Sequence, residues 1–236
     1  MIRYLFIAIL FSVWSAPLQA QYYFRMKADI SIKEVSYDGI NRIVLGKVYY
    51  DIHHKKIVYD ITFPEKERWV LSDTSYYLFK DDILVERNLS VIFPEFSIFH
   101  LALEGHLEDY GLQDHPVIKV KDIEKTEDGI IRTLRPTAEY TDNIGPIKLL
   151  TKDRQLKATL FYNVSERLMS RQFFEDYTVI KGVQIPQKIV QFLYPNPEFH
   201  DTEIDEDQYS LIQTTLSNIQ INRTDEEFLY NYPIPD

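Results

Sequence analysis

The chain has 236 residues, of which 45% are hydrophobic and 14% are aromatic, and its formal net charge is -10. Such a composition predicts an ordered domain with a sizeable core, and the acidic balance argues against nucleic acid as a partner. The chain contains no cysteine, which excludes disulfide scaffolds, thiolate zinc sites, iron–sulfur clusters, cysteine nucleophiles and a lipid anchor built on cysteine.

The first twenty residues have the pattern of a secretory signal. Arg3 precedes an apolar run over residues 4–14, and a short stretch with small residues follows it. We therefore predict a signal peptide over residues 1–20, cleaved near Ala20, and one mature domain over residues 21–236 in the periplasm. The apolar run is shorter than the roughly 20 residues that cross a bilayer. An uncleaved N-terminal anchor is the alternative.

Alternation of apolar and polar side chains predicts strands at the start of the mature chain. The pattern is clearest over residues 26–33, where every second residue is apolar, as in a strand with one buried face. Gly39 supplies turn chemistry, and Pro64 ends a strand because proline cannot donate to a ladder. Strands are predicted at 26–33, 43–52, 55–63, 68–72, 75–79 and 83–87.

One segment departs from the period of two. Residues 94–105 begin with Pro94, and proline is tolerated in the first turn of a helix. Gly105 is typical of a residue that ends a helix. Between them, Phe96, Phe99 and Leu103 recur at helical spacing. We therefore predict a short helix over 94–105 with one apolar face.

The strand pattern resumes after this helix and continues to the end of the chain. Strands are predicted at 117–125, 129–136, 146–151, 156–163, 167–179, 184–194 and 208–221. No repeat and no linker rich in Pro, Gly or Ser divides the chain, and residues 194–207 form the one long irregular stretch. The prediction is a mainly β domain, an antiparallel barrel of ten to twelve strands that curls to remove its edges.

Signatures of catalysis and of cofactor binding are missing from the sequence, including GxSxG, HExxH, GxGxxG and the P-loop. We therefore expect a protein that is not an enzyme and that needs no cofactor. His53-His54 makes a poor metal site because adjacent side chains at a strand end point to opposite sides. His100 and Glu104 form a surface helix pair, and the acidic run 201–207 lacks the glycine and final Glu of a calcium loop. No metal site is predicted.

The surplus of large apolar side chains has two explanations. The first is an ordinary sandwich core with a packed helix, which composition alone favours. The second is a half-open barrel whose apolar cavity the helix covers as a lid. In that barrel Lys56 and Asp60 face outward, and the predicted cavity residues are Ile30, Ile32, Tyr49, Ile57, Tyr59, Ile61, Trp69, Phe96, Phe99 and Leu103.

A series of motifs supports the second explanation. The first segment is Ala28–Lys33. The second, Gly46–Tyr50, begins with glycine, and the third, the aromatic strand Ile57–Pro64, ends with proline. Ser72-Asp73 then precedes an aromatic pair, and a late hairpin contains Gly182–Pro186. This order resembles the periplasmic lipoprotein carriers of the LolA/LolB type, in which a cavity-covering helix falls where residues 94–105 stand here.

The resemblance implies that residues 21–236 form a half-open antiparallel barrel with a short helical lid. It also implies a monomeric carrier of the acyl chains of lipoproteins or lipids, working with envelope donor and acceptor proteins. This sequence departs from the family at two places. The family's Arg-Pro pair is replaced within residues 51–56, so the arginine that is implicated in closing the lid is not carried over. In addition, Thr74 stands where the family has glycine. One alternative to a carrier is an envelope interaction or structural module on the same fold. A second alternative is an enzyme, which would need a cluster of carboxylates or histidines inside the pocket.

Overall fold

The computed structural model describes residues 22–90, 93–195 and 208–235. The predicted signal peptide and the acidic run 201–207 lie outside these ranges. The first half of the chain forms β1 (Arg25–Val35), β2 (Asn41–Asp51), β3 (Lys56–Phe63), β4 (Glu67–Ser72), β5 (Ser75–Lys80) and β6 (Ile83–Leu89). The second half forms β7 (Ile118–Thr126), β8 (Gly129–Pro136), β9 (Ile147–Lys152), β10 (Gln155–Tyr162), β11 (Leu168–Ile180), β12 (Val183–Leu193) and β13 (Ser210–Ile221).

The thirteen strands form one antiparallel sheet in the order β6-β5-β4-β3-β2-β1-β13-β12-β11-β10-β9-β8-β7. Apart from β6 and β7, strands that follow each other in the chain pair side by side, and β1 pairs with β13 to join the two halves. The sheet curls but does not close, because β6 and β7 remain as its two edges. The predicted half-open, mainly β barrel is confirmed, and its thirteen strands correspond to the thirteen predicted ranges, one more than the ten to twelve expected for the barrel.

The connection from β6 to β7 carries the predicted helical segment in two pieces. A single 3-10 turn spans Pro94–Phe96, and helix α1 spans Ile98–Glu104. Ser97 separates them in an extended conformation and caps α1, since its side-chain oxygen accepts a hydrogen bond from the backbone N–H of His100. Gly105 ends α1 in the left-handed region with a φ of 76°. The prediction of a continuous helix over 94–105 was therefore wrong, because the capping residue Ser97 divides the segment. None of the helices in the described ranges is long and apolar enough to cross a membrane.

Helix α1 packs on the concave inner face of the sheet, against β1 and β12. The main core lies between them, and Met26, Ala28 and Ile30 of β1 are almost fully buried in it. Phe99 and Leu101 bring the helix into the same core. The predicted parity of β1 is thus confirmed, because every second residue faces this core.

A second, smaller core lies on the convex outer face. The last residues, 223–235, fold back over β2 to β5 as a C-terminal strap that contains helix α2 (Glu227–Tyr230). Tyr230 and Tyr232 are buried there, and the Tyr230 ring meets the Tyr49 ring edge-on at a centroid distance of 5.4 Å. The remaining members of this core are Val58, Val70, Tyr77 and Phe79.

Ion pairs fix the strap to the sheet. Arg25 of β1 pairs with the buried Asp51 of β2 and reaches the strap through Glu227 at 2.9 Å. Lys27 binds both Asp225 and Glu226, at 2.6 and 2.7 Å. Through these ion pairs the strap is held over a part of the sheet whose aromatic side chains would otherwise be exposed.

Candidate ligand-binding cavity

An open cavity of about 520 Å³ lies between α1 and the concave face of the sheet. This volume is within the range of roughly 300–1,000 Å³ that is usual for small-molecule sites. Side chains from both halves of the sheet line it, together with the chain on either side of α1. The lining residues are Ile30, Ile32, Ile57, Tyr59, Phe93, Phe96, Ser97, Ile98, Phe99, Tyr110, Leu112, Ile118, Ile147, Phe161, Ser170, Gln172, Ile189, Gln191 and Thr214.

Many of the residues predicted from the sequence stand along this cavity. The alternation of β1 and β3 brings their inward side chains to one wall, and the segment before and within α1 provides the opposite wall. The predicted residues that line the cavity are Ile30, Ile32, Ile57, Tyr59, Phe96 and Phe99. That they bind a ligand stays a prediction. On the outer face, Lys56 contacts Asn231 of the strap and Asp60 pairs with Arg68, so the predicted parity of β3 is confirmed.

Tyr49 was wrongly assigned to the cavity. Neighbouring side chains on β2 point to opposite faces, and it is Tyr50 that faces inward, with its ring centroid 6.4 Å from that of Phe99. Tyr49 faces outward beneath the strap, where its hydroxyl donates a hydrogen bond to Glu226 at 3.2 Å. The error follows from two adjacent tyrosines on a strand that is buried on both faces.

Three further predicted residues lie outside the lining. Leu103 is buried in the main core at the far end of α1. Ile61 is buried opposite Gly46, where the pairing of β2 and β3 shifts register. Trp69 stands directly opposite Tyr59, and its indole N–H donates to Glu67 at 3.0 Å. These side chains therefore support the wall of the cavity or extend its face of the sheet, and they do not line it.

The second half of the sheet also lines the cavity, which was not predicted from the sequence. Phe161, Ile189 and Thr214 reach the cavity from β10, β12 and β13 by the same alternation that was used for β1. On β11 the inward positions include Ser170 and Gln172, so the apolar alternation that signals an inward face is interrupted there. Parity counted from the neighbouring apolar strands could have found them.

The cavity is uncharged. None of its described lining residues is acidic or basic. Burial raises the pKa of Tyr59 and of Tyr110 to about 12, which keeps both phenols neutral at physiological pH. Burial also lowers the pKa of His100, whose Nδ1 lies 2.7 Å from the Tyr50 hydroxyl outside the lining. This arrangement suits a neutral or apolar molecule.

Within the described ranges, no group of three or more His, Asp or Glu side chains is placed so that it could hold a metal ion. The Ser97 hydroxyl, which does line the cavity, donates to the Pro94 carbonyl at 2.6 Å and accepts from the N–H of His100. Its hydrogen bonds thus serve the turn before α1.

Several solved structures share this architecture at low sequence identity. A LolA superfamily protein from Nitrosomonas europaea aligns over 88% of this chain and 90% of its own, with a TM-score of 0.55 and 11% identity. A DUF1329 family protein from Desulfovibrio piger aligns over 91% and 92%, with a TM-score of 0.58 and 12% identity. A domain from Vibrio parahaemolyticus named for outer-membrane lipoprotein sorting aligns over 89% and 90%, with a TM-score of 0.58 and 9% identity.

No family model matches the sequence, and no curated protein matches it significantly. The TM-scores show a shared fold over most of each chain, and identities this low show nothing beyond the fold. The chain therefore has a half-open barrel fold similar to that of these solved LolA superfamily, DUF1329 and lipoprotein-sorting structures.

Proposed function

We propose that this protein binds and carries an acylated ligand, a lipoprotein or a lipid, in its cavity without covalent chemistry. The observation that carries the proposal is the open, uncharged and largely apolar cavity between α1 and the sheet. Each methylene group that such a cavity removes from water contributes ~0.8 kcal/mol, or about a fourfold gain in affinity. An acyl chain of ordinary length therefore needs no charged anchor to bind.

The fold supports the same proposal. Two of the solved structures with this architecture are named for the LolA superfamily and for outer-membrane lipoprotein sorting. We propose by analogy that the protein is a carrier rather than an enzyme, that it acts as a monomer, and that donor and acceptor proteins of the envelope exchange ligand with it. An envelope interaction module on the same fold would have no use for an accessible cavity.

A tryptophan that fills the cavity should abolish much of the binding. Thr214 of β13 lines the cavity, whereas its neighbour Thr215 lines a groove on the outer face. We expect Thr214→Trp to weaken the binding of a fluorescent fatty-acyl probe by more than tenfold, because displacing only two methylene groups already costs ~1.6 kcal/mol. Thr215→Trp is the matched control and should bind the probe as the wild type does.

The measurement is a fluorescence titration of each variant, with denaturant unfolding curves to show that both variants fold. Native mass spectrometry of the gently purified wild type should show co-purified lipid. If the wild type binds neither lipid nor probe, or if the two variants bind the probe equally well, the carrier proposal fails and the interaction module is favoured.

We also propose that the protein is exported and processed. Three features support export: Arg3, the apolar run over residues 4–14 and the small residues up to Ala20. N-terminal sequencing of the protein from the periplasmic fraction should begin at Gln21. Recovery from the membrane fraction with Arg3 still attached would contradict cleavage and support the uncleaved anchor.

A further inference from the structure

One wall of the cavity is polar. Ser170 and Gln172 of β11, Gln191 of β12 and Thr214 of β13 all reach the cavity, and we call these four residues the polar strip. Gln172 and Gln191 stand directly opposite each other in the antiparallel register. The Gln191 amide donates a hydrogen bond to the Ser170 hydroxyl at 3.3 Å. The strip thus runs across three adjacent strands and adjoins the apolar side chains of β1, since Thr214 pairs with Ile32.

The polar strip has hydrogen-bonding capacity that the bond between Gln191 and Ser170 does not use. Each glutamine amide carries two donor hydrogens and a carbonyl oxygen with two lone pairs. Next to the strip, Thr159 of β10 stands opposite Gln172, is fully buried, and its hydroxyl has no hydrogen-bond partner within the described ranges. Polar groups in apolar surroundings cost free energy until a partner satisfies them. A ligand with a polar group beside the strip would supply such partners to the glutamine amides.

The charge of the cavity limits what the polar group can be. An ionised carboxylate or ammonium group would enter a site in which none of the described lining residues carries a compensating charge. Such a group would lose its hydration without gaining an ion pair. A neutral ester or amide carbonyl avoids this cost and accepts hydrogen bonds from the amide and hydroxyl donors of the strip.

We propose that the polar strip recognises the neutral ester or amide linkage of an acyl ligand. The cavity then selects acyl esters and amides over free fatty acids and over plain hydrocarbon. This inference rests on the proposed acyl-binding function of the cavity, and it assigns Gln172 and Gln191 as the residues that determine which acyl compounds bind.

The test compares three twelve-carbon ligands: methyl dodecanoate, dodecanoate at pH 8, and dodecane. Each displaces a fluorescent acyl probe from the full mature protein, and its affinity is read from the displacement curve. We expect the ester to bind about three- to tenfold more tightly than the hydrocarbon, as one or two hydrogen bonds would give. We expect the carboxylate to bind more weakly than the ester by at least the same factor.

The variant Gln172→Leu/Gln191→Leu should bring the ratio of ester to hydrocarbon affinity close to one while it retains the affinity for dodecane. Each single substitution should remove part of the preference, which provides a second measurement if the double variant does not fold. Gln213→Leu is the matched control, because Gln213 precedes Thr214 on β13 and so faces the opposite side of the sheet. It should leave the ratio unchanged.

The outcomes separate this inference from the proposed function. If all three ligands displace the probe but the wild type shows no preference for the ester, the polar strip is not a recognition site and acyl binding stands. The same conclusion follows if the folded double variant keeps the preference. If the wild type binds neither the probe nor any of the ligands, the acyl-binding function itself is overturned and this inference with it.

Discussion

Asp51→Ala should destabilise the protein by about 3–5 kcal/mol, as expected when one partner of a buried ion pair is removed. Asp51 is completely buried and Arg25 is 7% exposed, so the substitution would leave a guanidinium group in the interior with only Glu227 as an ionic partner. Asp51 also accepts hydrogen bonds from the backbone N–H groups of His53 and His54, at 2.8 and 3.3 Å. The substitution therefore damages the turn after β2 as well as the anchor of the strap.

Two further variants separate these contributions in denaturant unfolding. Glu227→Ala removes the other partner of Arg25, but that side chain is 71% exposed, so we expect a loss of less than about 1 kcal/mol. Asp51→Asn retains an acceptor for the turn and removes the charge, and its loss should fall between those of the two alanine variants. Equal losses for Asp51→Ala and Glu227→Ala would contradict the view that the buried pair holds this part of the fold.

Phe99→Ala should also have a large effect on stability, about 3–5 kcal/mol in the same assay, as for other truncated buried aromatic residues. Phe99 is 4% exposed, lies in the main core beside Tyr50, and fixes α1 against the sheet. Phe96 is the matched comparison. It lines the same cavity from the 3-10 turn but is 38% exposed, so Phe96→Ala should cost about 1 kcal/mol or less while weakening the binding of the acyl probe.

This pair of variants decides whether α1 acts as a lid. A helix that opens to admit ligand belongs to the less stable part of a fold. If Phe99→Ala costs little stability and yet abolishes probe binding, the whole of α1 is mobile and gates the cavity. If it costs the full 3–5 kcal/mol and leaves probe affinity unchanged, α1 is a structural helix and only the segment around Phe96 remains available for gating.

The sequence allowed the strands and one wall of the cavity to be predicted because side-chain parity is a local property. Ile30 and Ile57 alternate with polar neighbours, so their inward direction could be read from the pattern. The pattern fails at Tyr49, because the strap covers the outer face of β2 and makes both faces apolar there. Tyr49 packs against Tyr230, nearly two hundred residues away, and no local pattern encodes that contact or shows which of the two adjacent tyrosines faces inward.

The start of helix α1 was not predicted correctly because two local sequence signals conflict there. The spacing of Phe96 and Phe99 fits a continuous helix, but Ser97 between them is a strong capping residue, and its hydrogen bond to the N–H of His100 determines where α1 begins. The polar strip was missed for a related reason. Glutamine normally faces solvent, so the inward position of Gln172 and Gln191 follows only from their parity with Phe174 and Ile189 on the same strands.

The pairing of β1 with β13 also has a consequence for the order in which the protein assembles. Among the described strands, every other pairing joins neighbours in sequence, so each half of the sheet can form early from local hairpins. Joining the halves closes one long loop, whose entropic cost grows only slowly with its length. The cavity lies across this junction, with its apolar wall on β1 and β3 and its polar strip on β11 to β13. A nascent chain therefore acquires its capacity for ligand only when the halves meet, and until that moment both expose the surfaces that the ligand would later occupy.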